Sequence, residues 1–271
     1  MVLPDEVVDL TEDFLRCVDE LAPGLVTDLY LHGSLCWGES FEDSDLDFVA
    51  VLDHTPTDDE LDGLAQAHAR VRDRFPERRF EGFHCRRTDL EGPPAAVAVV
   101  PVHYQGSFDP EGDIDVNLVT WHELAERGLV VRGELPAVYT DLEDLVAFTR
   151  DNLGTYWRSV LAQVDTAIDE HGPGAVGGED GTVAWVTLGV ASLHHLLARR
   201  ELTSKSGAGR YVLDSLDSRW QPLTVDALAI RERPGSASAY DDLGPRGQDQ
   251  RGEDLRDFLA WTVEDGLRAS T

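Results

Sequence analysis

Apolar residues at three- and four-residue intervals open the chain. Val7, Val8, Phe14, Leu15, Val18 and Leu21 predict a helix over 5–22, stopped by Pro23-Gly24. The segment LVTDLYLH predicts a strand over 25–32, followed by a turn at Gly33-Ser34 and a short helix over 35–38. DLDFVAVLD reads as a largely buried strand over 45–53. Thr57 is a fitting cap for a helix that runs to about Phe75, with Leu61, Leu64, His68, Val71 and Phe75 on one face. Arg79–Arg86 predicts a third strand. Beyond Pro93-Pro94, AVAVVPVHY suggests a strand, 106–113 a loop, 117–127 a helix and 129–132 a short strand.

From Asp141 the pattern turns helical, with segments at 141–170, 182–201, 205–217, 222–232 and 251–269. A loop over 171–181 and a mobile linker over 234–252 separate some of them. No internal repeat is visible. The expected class is α+β, a mixed-sheet domain with helices over 1–138 and an α-helical bundle over 139–271, with the boundary after Pro136.

Composition narrows the setting. Of 271 residues, 42% are apolar, enough for a packed core. No apolar run is expected to reach the about 18 residues of a membrane span. The acidic start MVLPDEVVDL lacks a signal pattern. Cys17, Cys36 and Cys85 are too few for a disulfide framework, and together these features predict a soluble, cytoplasmic protein. A net charge of −29 argues against general nucleic-acid binding and suits a cationic ligand. Lys205 is the single lysine, against 22 arginines. A compact ammonium kept against that bias fits a phosphate contact.

The chemistry concentrates in LYLHGSLCWGESFEDSDLDFVAVLD, residues 29–53. Asp45 and Asp47, two apart on an extended strand, project to the same side. Two carboxylates so placed repel each other, and a divalent cation relieves the repulsion. Mg²⁺ is commonly shared between one or two carboxylates and phosphate oxygens. Gly33 permits close backbone approach, and Ser34 with turn amides can hold a phosphate. The order strand, Gly-Ser turn, ten residues, Asp-x-Asp on a second strand resembles the signature of the polymerase-β-like nucleotidyltransferases. That resemblance implies nucleotidyl transfer from a nucleoside triphosphate with Mg²⁺. It also implies a third acid on the strand after the helix, here Glu81, as general base toward a hydroxyl.

The C-terminal half is similar to the AadA-type aminoglycoside adenylyltransferases. Ser204-Lys205 matches their Ser-Lys turn, Trp220-Gln221-Pro222 their Trp/Tyr-Gln-Pro segment, and 121–136 matches more weakly. The resemblance implies that Lys205 contacts the triphosphate of ATP. It implies that acids such as Glu179 and Asp180 face a cationic drug of the streptomycin or spectinomycin type. Ser192 stands where the family carries an arginine, with Arg231 and Arg210 as candidate substitutes. Two alternatives stay open: a non-antibiotic acceptor (protein, RNA end or metabolite), and a catalytically weak nucleotide sensor. The oligomeric state is not legible.

Other patterns carry less. His194-His195 point about 100° apart on a helix and do not form a shared metal site. WHELAE over 121–126 lacks the second histidine of a zinc-protease helix. The Gly-rich 171–181 lacks a Gly-Lys-Ser/Thr ending. Asp113-Ile114-Asp115 and Cys36 read as structure and packing.

Overall fold

The computed structural model describes residues 3–39, 41, 44–135 and 137–268. It divides between Asp141 and Leu142 into two compact units. Pro136, where the sequence suggested a break, lies outside the described residues.

The first unit begins with α1 (Asp5–Leu21), β1 (Val26–His32) and a 3-10 turn over Gly33–Trp37. β2 (Leu46–Leu52), α2 (Asp58–Arg74) and β3 (Phe80–Arg86) form a crossover unit. α3 (Arg87–Leu90), β4 (Val100–Tyr104), β5 (Ser107–Gly112), α4 (Leu118–Arg127) and β6 (Leu129–Arg132) complete it. α2 starts where the sequence placed its cap, with Thr57 and Glu60 forming a capping box.

The strands form one mixed sheet in the order β5-β4-β3-β2-β1-β6. β2 and β3 are parallel, as their connection through α2 requires, and the other pairs are antiparallel. Alternation along the strands sorts side chains between two layers. Leu29, Leu31, Phe48, Ala50 and Phe80 pack with Leu10 and Phe14 of α1 and Leu64 of α2. Tyr30, Val49, Val51, Phe83 and Cys85 pack with Trp121 and Leu124 of α4. The segment 106–113, expected to be loop, contains β5, which pairs with β4. Its Pro110 and mostly exposed side chains suit a sheet edge.

The second unit is helical. It contains α5 (Leu142–Gly154), α6 (Tyr156–His171), the short α7 (Gly174–Gly177) and α8 (Asp180–Arg199), then α9 (Lys205–Ser215), α10 (Gln221–Glu232) and α11 (Gly247–Arg268). The helix expected over 141–170 is two helices, separated at Thr155. The expected linker over 234–252 is partly ordered, with a 3-10 segment over Asp241–Arg246 and α11 starting at Gly247. With mean hydropathy 1.3, α8 is, among the described residues, the one helix long and apolar enough to cross a membrane by length and composition, although polar residues interrupt it. It packs instead against α5, α9, α10 and α11, so its apolar circumference is that of a core helix.

Candidate active site

β-sheet register assembles the candidate site of the first unit. His32 on β1 lies opposite Asp47 on β2, and Asp47 lies beside Glu81 on β3. The alternation that buries Tyr30, Val49 and Phe83 in the α4 layer puts these three on the same side of the sheet. Asp45, two residues earlier than Asp47, enters from the segment that leads into β2.

Gly33 turns the chain with φ +68°, and a Cβ there would overlap the Asp47 carboxylate. The glycine is thus required by conformation and by the acid packed on it. Its amide is already committed, because Gly33 N–H donates to Glu123 Oε2 at 2.8 Å. The phosphate-cradle reading therefore loses one donor, and Ser34 is the member of the pair that can still face a phosphate through its hydroxyl.

Glu123, on α4, is the residue the sequence reading missed. Its Oε1 accepts the Trp37 indole N–H at 2.6 Å, and its Oε2 lies 3.3 Å from His32 Nδ1. Arg127 stacks its guanidinium 3.7 Å from the centre of the Trp37 ring. One carboxylate thereby fastens both ends of the Gly33–Trp37 turn to α4. Burial opposes its charge, but hydrogen bonds from His32, Trp37 and Gly33 hold its carboxyl below the usual range. Burial likewise opposes a charge on His32, yet Glu123, Asp47 and Asp115 raise its pKa. Removing the carboxylate leaves the buried His32 ring, the Gly33 amide and the Trp37 indole N–H without this partner. Glu123→Ala is expected to cost about 3 kcal/mol of folding stability in urea titration. A loss below about 1 kcal/mol, the range of an exposed pair, would refute the fastening role.

The acids crowd one another. Burial pushes the Asp47 carboxyl up to about 6, opposed by His32 and assisted by Asp115, Asp45 and Glu123. Burial also raises Glu81, with Asp45 and Asp115 adding to it, while Gln105 N–H and Arg79 work the other way. Gln105 N–H donates to Glu81 Oε1 at 3.1 Å. Asp115, set aside in the sequence as structural, therefore acts electrostatically on three site residues. It sits in a left-handed turn with φ +62°, which aspartate tolerates better than most residues. The Asp-Ile-Asp spacing was visible in the sequence, but the turn that carries Asp115 to the site was not.

Among the described residues, no group of three or more ligating side chains is gathered at metal-binding distances. Asp45 and Asp47 do fit the sparser two-carboxylate mode. Asp45 Oδ1 is shielded from water and has the Arg79 Nε 2.6 Å away, so it is an oxygen that already faces positive charge.

The second unit carries the other candidates. Lys205 is the first residue of α9, after Ser204, whose hydroxyl accepts Gly207 N–H at 2.8 Å. A helix N-terminus disfavours a cation, so the backbone gives no reason for lysine there. Arg231 lies in the last turn of α10. Arg210 pairs with Glu232 at 2.8 Å. Ser192 donates to Gly189 O at 2.7 Å. Glu179 is exposed ahead of α8. Asp180 lies 2.8 Å from Arg251, a buried guanidinium that also meets Asp226 at 2.6 Å and donates to Gly177 O. Asp180 thus has a structural partner that sequence reading did not foresee. His194 points to Asp265 and Tyr211, at 3.2 and 3.0 Å, and His195 to Glu201 O, so the two do not converge.

Comparison with known proteins agrees with this geometry. Residues 12–84, the span that holds the Gly-Ser turn, Asp45, Asp47 and Glu81, match the family model described as nucleotidyltransferase domain. Comparison with curated proteins gives no significant match. Among solved structures, a similar one is the spectinomycin adenyltransferase AAD(9) from Enterococcus faecialis, crystallised with ATP and spectinomycin. Identity is 13% and the TM-score 0.64, over 93% of this chain and 98% of that one. At that identity the likeness is one of fold, and it extends through both units.

Proposed function

We propose that this chain transfers AMP from ATP to a hydroxyl of a small cationic acceptor, an aminoglycoside of the streptomycin or spectinomycin type, and releases pyrophosphate. The observation that carries the reading is the register placing Asp47 beside Glu81, with Asp45 two residues away. Asp45 and Asp47 would hold Mg²⁺, which when bound supplies charge neutralisation for the triphosphate. Ser34 contacts phosphate. Lys205 and Arg231 bind the triphosphate, and Glu179 and Asp180 recognise acceptor cations. The drug-adenylylating likeness of fold supports the acceptor class. The three cysteines, all buried and free, suit a reducing cytoplasm.

The chain's own groups have separable tasks. Glu81 takes the proton of the acceptor hydroxyl as its oxygen attacks the α-phosphorus. Burial raises its basicity above that of a solvated carboxylate. The Gln105 amide fixes one of its oxygens. Pyrophosphate departs with the electron pair of the broken P–O bond. Such chemistry depends chiefly on positioning and charge stabilisation.

Pyrophosphate release from ATP and Mg²⁺ in the presence of each drug tests the proposal. Drug-dependent release supports it. ATP binding without release for any aminoglycoside would move the acceptor to another chemical class. Glu81→Gln is expected to retain ATP affinity and lose about 10²–10⁴-fold in turnover. Full activity in that variant would remove Glu81 as the base.

A further inference from the structure

One cation already occupies the candidate metal site. Arg79, the residue before β3, brings its Nε to 2.6 Å from Asp45 Oδ1. The contact is one of charge, since no N–H is aimed at that oxygen, which is nonetheless shielded from water. The Arg79 side chain is 58% exposed and that of Asp45 35%, so the pair meets solvent. Arg79 also lines a cavity of about 410 Å³ together with Glu81, Gln105 and Arg72. A guanidinium leaving Asp45 has room there without disturbing the sheet.

We infer that Arg79 is a tethered counter-cation that guards Asp45 in the nucleotide-free protein and must be displaced before a divalent ion can bind. The inference rests on the proposed role of Asp45 as a metal ligand. Without a cation, the carboxylates of Asp45, Asp47 and Glu81, gathered by the register of β2 and β3, repel one another. An arginine supplied by the chain offsets that repulsion but competes with the ion for the same oxygen. Displacement leaves a mobile positive charge beside the site, where incoming phosphates would attract it. Metal and nucleotide binding thereby become coupled: each makes the other's binding easier.

Mn²⁺ binding to the nucleotide-free protein, followed by electron paramagnetic resonance, tests this directly. Arg79→Gln is expected to bind Mn²⁺ about five- to tenfold more tightly than wild type, because a competing unit charge has been removed at contact distance. It should also reduce the gain in Mn²⁺ affinity that ATP produces. Arg70→Gln makes the same change of charge at an exposed residue paired with Glu20, and should leave affinity within about twofold. In an Asp45→Asn background, Arg79→Gln should have no further effect. Unchanged or weaker binding by Arg79→Gln overturns the inference while leaving the metal site intact. A gain that persists with Asn at 45 also overturns it, since Arg79 would then act on the whole surface. Absence of Mn²⁺ binding in every protein, with or without ATP, defeats the metal-site reading and this inference with it.

Discussion

Asp47→Asn is expected to abolish nucleotidyl transfer and, at neutral pH, to make the folded protein harder to unfold. The first effect follows from position. Asp47 sits between His32 and Glu81, in space that only a glycine at 33 leaves open. Loss of one carboxylate from a charge-stabilising site should cost at least about 10²–10³-fold in turnover. Activity within about threefold of wild type would exclude Asp47 as a metal ligand. The second effect follows from linkage. The folded carboxyl is pushed up to about 6 from an ordinary 3.8, so its stabilising contribution exists in acid and is lost as pH rises through about 6. At pH 7.5 the ionised form is therefore a burden of up to about 3 kcal/mol, which the neutral amide does not carry. Urea midpoints for both proteins at pH 7.5 and pH 4 provide the check. The variant should lead at the higher pH and lose its advantage at the lower one. Equal midpoints at pH 7.5 would mean that the carboxylate is held without strain.

Acid should unfold the first unit from within, and most clearly in that same variant. His68 of α2, His84 of β3 and His103 of β4 are buried together. His84 Nδ1–H donates to Pro101 O at 3.0 Å, leaving Nε2 to accept from His68 Nε2–H at 3.3 Å. His103 Nδ1–H donates to Phe80 O at 2.7 Å, and its ring stacks on His68 with centres 4.3 Å apart. Burial lowers the pKa of all three, bringing His84 to about 4 and His68 well below its ordinary value. These rings are neutral when folded and protonate below about 6.5 when unfolded. The unfolded chain therefore binds more protons, and stability falls as pH drops from about 6.5 toward 4. His84 alone accounts for about 3 kcal/mol over that interval. In wild type the raised Asp47 carboxyl works in the opposite direction over nearly the same range. With Asn at 47 that opposition is gone and the decline steepens. Replacing His68 with Phe in the variant should reduce the slope of stability against pH by about one proton. A variant equally stable at pH 7 and pH 4.5 would show that the histidines are not held neutral.

The strands of the candidate site were legible because their information is local. Residues from Gly33 to Asp47 lie within one strand–turn–strand passage, and alternation alone puts Asp45 and Asp47 on one side. Glu81 followed from the strand after the α2 helix. Glu123 was not legible as a partner of Gly33, since α4 reaches that turn only through packing of Trp121 and Leu124 on the sheet. Asp115 needed a left-handed turn that its spacing does not encode. The three histidines come from three elements, and no sequence interval relates them. β5 was read as loop because an edge strand need not alternate apolar residues. Asp180 shows the reverse problem. Its charge suggested a ligand, whereas buried Arg251 gives it a partner inside the protein.

The position of α8 also has a consequence for synthesis. Every element of the first unit precedes Leu142, so that unit can close while the rest of the chain is still being made. α8 is translated before α9, α10 and α11, which cover much of it. For that interval the nascent chain exposes an apolar helix that the finished fold covers. The order of translation therefore makes the yield of active protein depend on how quickly α11 arrives, whatever the stability of the finished molecule.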